Sequence, residues 1–95
     1  MKKISKVKVA VFHVADQHTR ENIGTIISMY PVSANIEHAR AFFNEFLAGN
    51  SACVTECKDL GSFSPMKAQK MIDTFRRENL YTMVLNLINV ERIAA

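Results

Sequence analysis

The chain has 95 residues, of which 48% are hydrophobic and 22% charged, with a formal net charge of +3. That length holds one domain and no second, and the apolar share excludes an intrinsically disordered chain. No apolar run reaches the roughly 18–20 residues needed to span a bilayer, so no membrane partner is expected. Two cysteines beside an adequate core do not make a disulfide framework, and a reducing cytoplasmic setting is expected.

The positive charge is unevenly spread. Residues 1–8 carry +4, residues 9–62 carry −3 and residues 63–95 carry +2. Lys2, Lys3, Lys6 and Lys8 could draw an anionic partner, but a solvated tail that keeps a sheet edge soluble is the favoured reading. The start, Met-Lys-Lys followed by an apolar run to Ala15, imitates a secretory signal. Lys8 and His13 interrupt that run and no clean small-residue cleavage pattern follows, so the segment reads as a strand.

Residues 6–15 alternate Val7, Val9 and Val11 with Lys6, Lys8 and Ala10, the period of a strand, and Phe12 and Val14 then make its second face apolar. Asp16–Asn22 is polar and turn-like. Residues 23–30 are β-branched and aromatic and read as a second strand, antiparallel to the first, with Gly24 marking a bulge. Pro31 stops it, and Ser33 or Asn35 caps a helix that carries Ile36, Ala39, Phe42, Phe43, Phe46 and Leu47 at helical spacing. Gly49 is expected to end that helix in the left-handed conformation. Two adjacent phenylalanines cannot point at one spot, so one of them is free to reach a second surface.

Residues 52–60 look like a third, more polar strand suited to a sheet edge. Ser64-Pro65 is a helix entry, with Ser as cap and Pro at the first helical position. Ala68, Met71, Ile72 and Phe75 form its inward stripe. The stretch Leu80–Ile93 fits two patterns. As a helix it places Thr82, Asn86 and Asn89 on a narrow polar stripe; as a strand it sets Thr82 and Asn86 on one face. The helix is favoured, and a helix apolar nearly all round is either central or packed on a second chain. The expected fold is α+β: an antiparallel sheet of about three strands in ββαβα order, covered by helices, with an additional C-terminal helix.

Groups that carry chemistry are sparse. Cys53 and Cys57 with His13 and His18 make a nominal zinc set. Four residues along a strand advance about 13 Å, however, too far for one ion or for a disulfide, whose α-carbons lie within about 7 Å. Two unpaired, partly buried thiols are expected, with no metal and no cofactor. His13 reads as a buried, hydrogen-bonded neutral side chain, and His18 and His38 as exposed. There is no phosphate loop, dinucleotide fingerprint, nucleophile elbow or paired-carboxylate motif, so no catalytic residue is assigned. A weaker enzyme reading would join His13 to a cysteine. Met29, Met66, Met71 and Met83 are expected in the core.

The function expected on these grounds is non-enzymatic: a small interaction or regulatory protein that binds protein, as a homo-oligomer, through Leu80, Met83, Val84, Leu87 and Ile88. The alternative partner is nucleic acid, met by Lys6 and Lys8 with the helix face of Lys67, Lys70 and Arg77. The residues of this class that stack bases are missing there apart from inward Phe75.

Overall fold

A computed structural model describes residues 5–88. The elements are β1 (Val7–Asp16), β2 (Asn22–Pro31), α1 (Ile36–Ala48), β3 (Ala52–Phe63), α2 (Pro65–Glu78) and β4 (Thr82–Asn86). They form a four-stranded sheet in the order β3-β1-β2-β4. Both neighbours of β1 run antiparallel to it, whereas β4 runs parallel to β2.

Two expectations are corrected here. The sheet has four strands and is mixed, where about three antiparallel strands were expected. Residues 82–86 are a strand where a C-terminal helix was favoured; residues 89–93 of that expected helix lie outside the described residues, as do Lys2 and Lys3. The physical reason is shared by both. Met83 and Leu85 fall on the α1 side of the sheet and Val84 on the α2 side, so β4 is apolar on both faces, and over nine residues that pattern matches a helix buried all round.

Strand alternation sorts the core into two halves. Ala10, Phe12 and Val14 of β1 join Ile26, Tyr30, Ala39, Phe43 and Leu47 on the α1 side. Val7, Val9 and Val11 join Ile27, Met29, Ala68 and Ile72 on the α2 side. One helix therefore lies on each face of the sheet. The α1 half is anchored by the Phe12 and Phe43 rings, edge-on with centroids 4.9 Å apart, a pairing that adds about 1 kcal/mol beyond its buried area.

The punctuation residues act mostly as read. The Asp16 carboxylate accepts the backbone N–H groups of His18 and Thr19 at 2.8 and 3.0 Å and so folds the β1–β2 turn. Those two donors hold its pKa below the usual carboxylate value. Asn35 caps α1 by accepting the His38 N–H, and Ser64 caps α2 by accepting the Lys67 N–H, with Pro65 following. Gly49 departs from expectation: its φ is −63°, and the left-handed residue is Ser51, with φ 54°. The chain leaves α1 through two further turn bonds, Asn50 N–H to Leu47 and Ser51 N–H to Ala48, so the reversal of hand falls two residues later.

Each helix covers half of its face. α1 lies over β3, fixed there by Asn44, whose side chain accepts the Val54 N–H at 2.8 Å. α2 lies over β1, β2 and β4. Among the described residues no helix is long and apolar enough to cross a membrane.

Candidate functional site

The α1 side of the sheet near β4 is the half that α1 leaves uncovered, and the local chain is built to place a strand there. α2 ends at Asn79, whose backbone N–H and side-chain amide both donate to the Phe75 carbonyl. The Thr82 hydroxyl donates back to the Asn79 carbonyl at 2.9 Å. Tyr81 takes a left-handed φ of 58°, which reverses the chain, and its carbonyl accepts the Thr25 N–H at 3.1 Å. Gly24 permits that approach: a Cβ there would stand 2.9 Å from the Tyr81 oxygen. The bulge expected at Gly24 sits beside it, because Val14 pairs with Gly24 and Ala15 with Asn22, leaving Ile23 as the extra residue.

This arrangement exposes apolar side chains together. Leu80 is 84% exposed, Tyr81 83%, Ile23 52% and Met83 45%. Ile23, Tyr81 and Met83 line, with Leu47 and Asn50, a cleft of about 200 Å³. Phe46 is 52% exposed where an inward position was expected. It lies two residues, or about 200° around the helix, from the Asn44 that faces β3, and so on the flank of α1 turned towards β2 and β4. Phe43 keeps the core and Phe42 packs edge-on against it at 5.9 Å, so Phe46 is the phenylalanine that reaches outward.

Along the edge itself, β4 reads Thr-Met-Val-Leu-Asn, without a charge. Among the described residues it pairs on one side only, with β2. The Thr25 N–H bond to Tyr81 and the Leu87 N–H bond to the Met29 carbonyl fix which amides are used inward. The parallel pattern then turns the N–H groups of Thr82, Val84 and Asn86 outward.

The predicted contact residues divide accordingly. Leu80 and Met83 are exposed, whereas Val84 and Ile88 pack against the α2 half of the core and Leu87 is buried in the α1 half. Sequence reasoning missed Ile23 and Tyr81. Their signals were the bulge at Gly24 and the polar break at Glu78-Asn79 that ends α2.

The cationic candidates are not brought together. Lys6 is exposed. Lys8 is half-buried and donates to the Ala34 carbonyl at 3.2 Å on the α1 side, while Lys67, Lys70 and Arg77 are exposed on α2, across the sheet. The Arg77 guanidinium donates to Thr74.

Cys53 and Cys57 are both free and half-buried. Val54 and Cys57 pack on the α1 side, and alternation puts Cys53 on the other, where the Arg20 guanidinium lies 3.7 Å from its sulfur. Among the described residues no group of three or more His, Cys, Asp or Glu side chains is placed to hold a metal ion. Among the described residues the half-buried His13 has no hydrogen-bond partner at Nδ1, where a buried, bonded histidine was expected. His18 and His38 are exposed as expected. Met29 is in the core and Met71 half-buried, but Met66 and Met83 are exposed: Met66 opens α2 at its outer end and Met83 faces the cleft.

Comparison of the chain with protein-family models, curated proteins and solved structures finds no match.

Proposed function

We propose that this protein is a small non-enzymatic interaction module that self-associates through β4, two copies joining their sheets about a two-fold axis. The observation that carries this reading is the uncharged edge strand ringed by exposed Leu80, Tyr81, Met83 and Ile23. Natural edge strands are kept apart by charge, proline or a covering element; β4 has no charge or proline. A second copy suits it because antiparallel pairing of β4 with itself opposes no like charges and gives each copy the same surface. The contact is short, so dissociation on the order of micromolar is expected rather than nanomolar.

Sedimentation equilibrium over a range of concentrations tests the reading. It should show a reversible monomer–dimer equilibrium that Leu80→Asp weakens. A monomer at every concentration, or a dimer indifferent to Leu80→Asp, removes it.

The nucleic-acid alternative draws support from Lys67, Lys70 and Arg77, exposed along one helix. It predicts binding that falls steeply with added salt and that the triple alanine variant loses.

A further inference from the structure

The methionines differ in what surrounds them. Met29 is buried in the α2 half of the core and Met71 is half-buried on α2, whereas Met66 and Met83 are exposed, at 74% and 45%. Met66 stands in the first turn of α2. Met83 stands on the edge strand, in the cleft with Ile23, Leu47 and Tyr81. Strand geometry fixes what Met83 meets when β4 pairs with a second copy. The outward N–H groups belong to Thr82, Val84 and Asn86, so antiparallel pairing joins those residues by hydrogen bonds and leaves Met83 and Leu85 in the closer, non-hydrogen-bonded row. Full overlap of the five-residue strand centres the two-fold axis on Val84 and sets Met83 opposite Leu85 of the second copy. The diagonal neighbours are then Met83 and Leu87, and none of these side chains has a hydrogen-bond donor.

We infer that Met83 is an oxidative modification site, at which peroxide converts the thioether to the sulfoxide and the sulfoxide releases the β4 pairing; the inference rests on the self-association reading above. The sulfur gives an electron pair to one peroxide oxygen, the O–O bond breaks, and thioether and hydrogen peroxide become sulfoxide and water. The new oxygen is a hydrogen-bond acceptor. In the monomer it points into water, whereas in the dimer it is desolvated opposite Leu85 with no donor, which opposes association. Two-fold symmetry applies that penalty twice, once in each copy. Pairing in turn covers Met83, so the thioether is reached from the monomer. Sulfoxide reductases return it to the thioether, which makes the release reversible. Met66 is more exposed than Met83 but lies away from β4, so its oxidation leaves the pairing alone.

The test is sedimentation equilibrium of the full chain before and after hydrogen peroxide. A dithiol added afterwards returns reversibly oxidised cysteines to thiols, and mass spectrometry reads each methionine. Sulfoxide at Met83 should raise the dimer dissociation constant about thirtyfold, and the two methionine sulfoxide reductases together should bring it back. Met66→Leu should leave this response intact, and in Met83→Leu peroxide should leave the constant at its value before treatment. Oxidation of Met83 should slow as protein concentration rises, while that of Met66 should not. A dimer as tight with Met83 oxidised as before, or the same peroxide response in Met83→Leu, would overturn the inference and leave self-association standing. A protein that is monomeric before treatment removes the self-association reading and this inference with it.

Discussion

The two edges of this sheet solve the same problem in opposite ways. β3 and β4 each have one strand neighbour among the described residues. β3 carries Glu56, Lys58 and Asp59 and two irregularities in its pairing with β1, the devices that keep an edge from recruiting another strand. β4 carries neither and is ringed by apolar side chains. The helices repeat the asymmetry, since α1 guards the β3 side of one face and leaves the β4 side to Met83 and Tyr81. The difference teaches that edge protection here is selective, and that the unprotected edge is the one to test for partners.

The largest expected effect comes from giving β4 what β3 has. Met83→Lys should raise the dimer dissociation constant about a hundredfold, read by sedimentation, while changing monomer stability by less than about 1 kcal/mol because the side chain is half in solvent. Next, Gly24→Val should undo the docking of β4 from beneath. Its Cβ would stand 2.9 Å from the Tyr81 carbonyl oxygen, a backbone atom that cannot step aside, so urea unfolding should show a loss of about 2 kcal/mol together with loss of self-association.

The converse substitution sharpens the contrast at smaller thermodynamic scale. Glu56→Val with Lys58→Val strips charge from β3 at two exposed positions. Stability should move by only about 0.5 kcal/mol, yet light scattering should report species larger than a dimer, because both edges could then pair.

The smallest effect concerns Tyr30, buried on the α1 side with its hydroxyl unpartnered among the described residues. Tyr30→Phe should leave neutral-pH stability within about 0.5 kcal/mol, since no hydrogen bond is lost. Burial, then the Asp59 charge, then Cys57 push the Tyr30 pKa up to about 12 from an ordinary value of 10.0. The folded state thus holds the phenolic proton more tightly than the unfolded state. That contribution is complete below pH 10 and declines as pH rises towards 12. The alkaline loss should be smaller in Tyr30→Phe; an identical alkaline profile would show that this hydroxyl is not what titrates.

Much of the fold was legible because its signals are local. Val7, Val9 and Val11 against Phe12 and Val14 announced a strand apolar on both faces. Asn35 and Ser64-Pro65 fixed two helix starts through side-chain bonds to nearby amides. The polar character of residues 52–60 marked an edge strand. What failed depended on distant neighbours. Leu80–Ile88 could not be told from a buried helix, because β4 carries apolar side chains on both of its faces, Met83 and Leu85 on one and Val84 on the other. Phe46 lies on the flank of α1 and Met66 in the exposed first turn of α2, positions set by how each helix sits on the sheet. Of the candidate site, Leu80 and Met83 were legible as excess apolar residues. Ile23 and Tyr81 were not, since their exposure comes from a bulge and a left-handed turn that meet only in the folded chain.

Amide hydrogen exchange along β4 tests the central claim most directly. The N–H groups of Val84 and Asn86 point away from β2 and should exchange quickly in dilute protein, then slow as concentration rises and a second copy accepts them, while Leu85 stays protected throughout. Exchange at Val84 and Asn86 that is the same at every concentration would contradict pairing of this edge with another copy.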